Sequence, residues 1–280
     1  MFILDNHIHL SPLGRGWMAV RDFEKAGGTH IVLNNMPYQG MSPLSTGSFE
    51  KQFDTTLKLA EQVRENTGVG VFVSLGPYPV ELIAMAENMG LEKAEKAMKE
   101  GMDLAAKHVG EGMAHAIGEV GRPHFPVEPD ILEASNRILI YGMEKASEAC
   151  CPVVVHCETA TPDTWNSLAS MADEAGLPRE KVVKHFSSAV VNPSINMGIT
   201  PSIIASKDAI KSALRQGTGF LLETDFLDDP TRPGAVLDIR TIPKRVKWMI
   251  EEGVENSVLE AIFQKNPERL YGVDMSQGEP

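Results

Sequence analysis

Eight short runs rich in Val and Ile punctuate this chain: Phe2 to Ile8, Thr29 to Leu33, Val69 to Leu75, Met113 to Val120, Pro152 to His156, Lys181 to Phe186, Gly198 to Ala205 and Gly219 to Thr224. The stretches between them read as helices, among them Thr55 to Asn66, Leu91 to Val109, Pro129 to Ala149, Thr161 to Ala175 and Lys207 to Gln216. Strands that alternate with helices must pair in parallel, because each crossover returns the chain to the same edge, and eight such units can close on themselves. The expected fold is therefore an α/β (β/α)8 TIM barrel, with the region from Gly253 to Leu270 supplying the last helices. Barrels of this kind run to about 250 residues as one unit, and no repeat, low-complexity tract or linker interrupts the 280 residues, so one domain over 1–280 is expected.

One stretch departs from the pattern. Asn35 to Phe49, rich in Pro, Gly, Ser and Met, follows the second strand on the face where barrel active sites are built, and reads as a lid or as a surface loop.

The strand ends carry the chemistry. His7 and His9 alternate along the first strand, so both imidazoles point one way while Phe2, Leu4 and Ile8 are expected to face the helices. An H-x-H triplet alone is weak, since two incidental histidines produce it too. Here, however, Glu119, His156, His185 and Asp225 each stand at the C-terminal end of their own expected strand. Core packing does not ask for imidazoles and carboxylates there, because buried charge is costly unless paired or coordinated, whereas a metal site does. Such donors suit Zn first, with Mn, Fe, Mg or Ni as alternatives.

The segments Asp-Asn-His-Ile-His, Ala-Ile-Gly-Glu-Val-Gly, Pro-Val-Val-Val-His-Cys, His-Phe-Ser-Ser and Leu-Leu-Glu-Thr-Asp, in that order, resemble the TatD-like metal-dependent hydrolases of the amidohydrolase superfamily, and the closing Lys-Asn-Pro-Glu-Arg-Leu-Tyr-Gly resembles that family's C-terminal helix. Gly14-Arg15-Gly16 and Ala26-Gly27-Gly28-Thr29-His30 look more like an archaeal TatD-related branch than the DNase members. The resemblance implies two divalent metal ions: His7, His9 and Asp225 on one, His156 and His185 on the other, with Glu119 as the bridge. Such a pair activates water for attack, with Asp225 as general base and later acid and Glu119 as its catalytic partner. Two segments depart from the family's habit, Leu75-Gly76-Pro77-Tyr78-Pro79 and Gly121-Arg122-Pro123-His124-Phe125. The metal donors are kept and the substrate contacts changed, so the resemblance implies hydrolysis without implying DNase activity.

Arg122 and His124, just beyond Glu119, are candidates for holding a phosphate or another anion, against the plainer reading of a surface Arg and a loop His. Tyr78 is a candidate for a substrate hydrogen bond, or for capping the barrel mouth. Lys184 should point away from its neighbour His185, which speaks against a bridging carbamate, and Cys157 should likewise face away after His156. His30, His108 and His115 read as structural. Phosphoester hydrolysis, on a nucleotide or nucleic-acid end, leads; hydrolysis of a lactone or amide is its rival, and a non-catalytic metal-binding scaffold comes third.

Composition narrows the partners. With 26 Lys plus Arg against 38 Asp plus Glu, the formal charge of -12 repels polyanions, which disfavours general nucleic-acid binding and leaves a small-molecule or nucleotide-like substrate. The first residues lack a signal peptide's pattern and no apolar run approaches a membrane span, so a cytoplasmic protein with no membrane partner is expected, its three cysteines reduced. Nothing in the sequence bears on oligomeric state.

Overall fold

The computed structural model describes residues 1–276 except Pro230, Pro233 and Ala235. Parallel strands β1 (Leu4–His9), β2 (His30–Asn34), β3 (Gly70–Leu75), β4 (Ala116–Gly121), β5 (Val153–His156), β6 (Val182–Ser187), β7 (Thr200–Ile204) and β8 (Leu221–Glu223) follow one another in the sheet, each beside its predecessor. These are the eight expected strands. A ninth, β9 (Phe226–Leu227), was not expected; it pairs with the end of β1 through Ile8 to Phe226 and His9 to Leu227. Only Thr224 and Asp225 separate β8 from β9, so one strand path starts beside β7 and finishes beside β1, which closes the barrel. Asp5 rivets this seam: its carboxylate accepts from the Thr224 amide at 2.9 Å and the Thr224 hydroxyl at 2.6 Å.

Two apolar layers hold the barrel. Outside it, Ile8, Leu33, Val73, Val155 and Ile203 share a core with helix residues such as Phe23 of α1 (Trp17–Ala26) and Phe53 of α3 (Glu50–Asn66). Inside, Leu4, Val32, Phe72, Ala116, Val154, Val183 and Leu221 pack together at the N-terminal end of the strands, under Leu270, Tyr271 and Met275. Leu4 therefore faces the barrel interior, with Phe2 packed on the same cluster, and only Ile8 takes the side that simple alternation gives. The cause is local. The register of β1 against β2 shifts between Asp5 and Ile8, so even-numbered residues point inward before the irregularity and His7 and His9 after it.

The named helices form close to their expected places, as α3, α5 (Leu91–Gly110), α6 (Pro129–Glu148), α7 (Pro162–Glu174) and α9 (Lys207–Leu214), with α2, α4 and α8 at Pro43–Thr46, Glu81–Met89 and Pro193–Asn196. Proline at the first turn of α6 and α7 suits both starts, since the missing amide would have had no partner there, and Thr161 closes a capping box with Thr164. The chain ends through α10 (Thr241–Glu251), α11 (Asn256–Glu260), a π turn over Ala261–Lys265 and α12 (Asn266–Tyr271). The segment after β2 is anchored: the Tyr38 hydroxyl lies 2.8 Å from Thr56 Oγ1, Thr56 donates to Asn35 Oδ1, and Asn35 donates to the Gly76 carbonyl at 3.0 Å. It is a packed wall rather than a loose lid.

Candidate metal centre

At the C-terminal ends of the strands, β1 supplies His7 and His9, β4 Glu119, β5 His156, β6 His185, and the turn after β8 Asp225. Their donor atoms form two groups. In the first, Nε2 of His7 and of His9 are 3.1 Å apart, and Asp225 Oδ1 lies 3.9 and 3.6 Å from them. In the second, His185 Nε2 is 3.3 Å from Glu119 Oε1, which also touches His156 Nδ1. The other Glu119 oxygen, Oε2, faces the first group at 3.8 Å from His7 and 3.6 Å from His9. One carboxylate thus turns an oxygen to each group. Gly121 permits this approach, since its φ of 138° suits glycine and a Cβ there would meet the His156 carbonyl oxygen at 2.1 Å.

The electrostatics suit cations. Burial pushes the imidazoles of His7, His9 and His185 down, His9 to about 4 and His185 to about 3, so near neutral pH they present lone pairs rather than protons. Burial pushes Glu119 up, but the imidazoles of His185 and His156 more than reverse it and hold the group well below the usual range. Asp225 is pushed well above its ordinary value by burial and then by the carboxylates of Glu119, Glu223 and Asp5. Burial also raises Asp5, to about 7, and Glu223. Among the described residues, no Lys or Arg forms an ion pair with any of these four carboxyl groups. Crowded buried carboxylates and neutral imidazoles without a cationic side chain fit divalent metal, whose charge offsets theirs.

Three of the remaining imidazole nitrogens have polar neighbours behind them, whereas His7 Nδ1 is buried without a hydrogen-bond partner. His9 Nδ1 is 3.1 Å from the Asn34 carbonyl, His156 Nε2 is 2.8 Å from His124 Nδ1 and 3.5 Å from the Tyr78 hydroxyl, and His185 Nδ1 is 2.9 Å from Glu223 Oε1. Such partners fix the ring that a metal would meet. Glu223 was missed in the sequence, although it stands two residues before Asp225, where strand alternation puts both on one side. Behind it runs a buried chain of hydrogen bonds that was missed as well. Ser202 donates to Glu223, Asn6 Nδ2 donates to Ser202 at 3.0 Å, and the Tyr271 hydroxyl donates to Asn6 Oδ1 at 2.8 Å.

Above the donors opens a cavity of about 330 Å3, walled by Met36, Pro37, Tyr78 and Leu227. Tyr78 and His124 thus stand beside the donors, and Arg122 does not. Its buried guanidinium meets Glu158 at 2.8 Å, Ser167 of α7 at 3.2 Å and Asn136 of α6 at 3.4 Å, tying the loop after β5 to two helices. Arg122 is not among the residues that line the cavity, and its guanidinium pairs with a carboxylate on the neighbouring loop. Arg232, paired with Asp229 at 2.8 Å, lines the cavity instead. The other three histidines lie apart: His30 packs between Phe2 and Phe72, His115 packs edge-on to Phe72, and His108 sits in α5. Lys184 Nζ reaches the carbonyls of His185 and Cys157 rather than the donor groups. No helix among the described residues is long and apolar enough to cross a membrane.

Residues 4–272 match the family described as TatD related DNase. The chain is 37% identical over 280 residues to an uncharacterised protein of Methanocaldococcus jannaschii, a match that covers 98% of this chain and 96% of that one. Among solved structures, a TatD homologue from Escherichia coli superposes with a TM-score of 0.67 at 19% identity, covering 97% of this chain and 98% of that chain. The phosphotriesterase from Mycobacterium tuberculosis gives 0.62 at 12% identity, covering 96% and 94%. Those two likenesses are of fold. The family match is of sequence and runs from the first strand through the last helix, and by it the chain belongs to the TatD related DNase family, a family of hydrolases.

Proposed function

We propose that this hydrolase cleaves a phosphoester in a small-molecule or nucleotide-like substrate, with a pair of divalent metal ions, zinc first, held at the barrel mouth. The observation that carries the reading is Glu119, whose two oxygens face the two donor groups. When bound, the ions would lower the pKa of water towards neutrality and polarise the substrate's phosphoryl oxygen. Asp225, at the edge of the first group and open to the cavity, takes the proton of the attacking water and returns it to the leaving oxygen. Tyr78, kept a phenol by burial, donates a hydrogen bond to the substrate, and Arg232 supplies positive charge at the wall. The phosphoester is favoured because the family name is that of a DNase and one structural neighbour is a phosphotriesterase. The cavity and the charge of -12 favour a small substrate or a nucleic-acid end over a long polyanion.

Metal content and turnover test this together. Protein purified without added ions should carry two divalent ions per chain and hydrolyse a bis-aryl phosphate. Glu119→Gln should lose metal and activity together while keeping the fold, because a neutral amide is a poor bridge. A variant that keeps both ions and full turnover sinks the bridge. Wild type that turns over only lactones or cyclic amides replaces the phosphoester with a carbonyl substrate.

A further inference from the structure

Beside the metal cavity lies a second one, of about 320 Å3, which shares His156, His185 and Asp225 with it and is otherwise bordered by residues that include Thr159, Lys184 and Phe186. Lys184 is among the largest fully buried side chains, 1% exposed. Its ammonium donates to two backbone carbonyls, of His185 at 2.6 Å and of Cys157 at 3.4 Å. An ammonium has three N–H donors, and among the described residues no carboxylate lies within ion-pairing distance of this one. In a chain with 38 acidic against 26 basic residues, a buried cation left without an acidic partner is costly, and a partner that arrives from outside removes the cost.

We propose that Lys184 anchors a second anionic group of the substrate, a phosphate or a carboxylate, in this adjoining cavity. The proposal rests on the hydrolase reading above, since the shared wall places the reacting bond at the metal donors and the second anion next door. The substrate class is then a phosphoester that carries a further anionic group. A purely structural role is also available to Lys184, as a clip between the ends of β5 and β6, but a clip has no reason to bind anions.

The full chain, as purified and after treatment with chelator, would be titrated calorimetrically with inorganic phosphate and in parallel with acetate. Chelated wild type should bind phosphate saturably, Lys184→Met should bind it about tenfold or more weakly, and Lys184→Arg should stay within about threefold of wild type. Acetate binding as tightly as phosphate assigns the subsite to a carboxylate; preference for phosphate assigns it to a phosphate. Should Lys184→Met fail to fold, Phe186→Glu, at a residue that is 53% exposed, puts a carboxylate beside the same cavity and should weaken phosphate to a similar degree. Equal phosphate affinity in wild type and in the folded variant overturns the proposal, as does an absence of phosphate binding once metal is stripped. Metal content measured on the same samples separates the readings: Lys184-dependent binding in a protein that never held metal leaves the subsite standing and removes the metal centre.

Discussion

The two ends of the barrel interior are built on the same strands and have opposite characters. In β5, Val154 faces the base and His156 the mouth; in β6, Val183 and His185 repeat the pattern. At the base, apolar side chains from β1 to β8 pack against Leu270 and Tyr271 and contribute burial worth roughly 25 cal/mol per Å2 of apolar surface. At the mouth, two residues further on, buried carboxylates and neutral imidazoles cost stability until a cation joins them. Strand alternation decides only which residues face inward. Depth along the strand decides whether an inward residue supports the fold or performs the chemistry.

The largest expected effect separates the ends by activity. Asp225→Asn should lower kcat by about 10² to 10⁴, the range for a general acid or base, while thermal stability of the metal-free protein stays level or rises, since a buried carboxyl is removed. Steady-state rates and melting curves check both halves; an unchanged kcat would move the reacting end away from Asp225. The converse substitution is Phe72→Ala at the base, which should cost about 3 to 5 kcal/mol in denaturant unfolding and leave the metal content of the folded protein unchanged. Metal lost along with stability would show that the ends are coupled.

Between the layers stands Glu223. Glu223→Gln should weaken metal affinity by about 10- to 100-fold in chelator competition, because the group behind His185 no longer carries charge. Unchanged affinity would confine Glu223 to its bonds with Ser202 and the Phe186 amide. The smallest effect concerns a mouth-side carboxyl outside the donor set. Burial pushes Glu81 up to about 7, against the hydrogen bond from Gln52, and its second oxygen has no partner. A folded pKa above the unfolded one means that its contribution is fully present below the ordinary value of 4.5 and lost as pH rises through about 7. Glu81→Gln should therefore match wild type near pH 4.5 and exceed it by about 1 to 2 kcal/mol at pH 8, allowing for partial exposure. Urea curves at both pH values decide it, and a difference that does not change with pH would refute the buried-carboxyl account.

The barrel was legible because each strand is a short β-branched run and the stretches between are periodic. Likewise, the six donors could be picked out because a charged residue at the end of an apolar run has few other reasons to be there. What escaped depends on contacts between distant segments. The inward turn of Leu4 follows from a register shift that only the pairing with β2 imposes, and β9 exists only because β1 offers it an edge. Arg122 was a candidate anion contact by nearness in sequence to Glu119, but Glu158, thirty-six residues on, pairs with its guanidinium. Arg232, which does reach the cavity, sits in a loop with no periodic signal.

The hydrogen-bond chain from Tyr271 through Asn6 and Ser202 to Glu223 has a consequence for the order in which the protein is made. Asn6 leaves the ribosome 265 residues before Tyr271, so the side chain next to His7 acquires its partner only once α12 has been made. His7 and His9 must likewise wait for Asp225 and for the helix that closes the base before the first donor group is complete and braced. Any metal held by the finished arrangement would in this way be loaded only after α12 has been made.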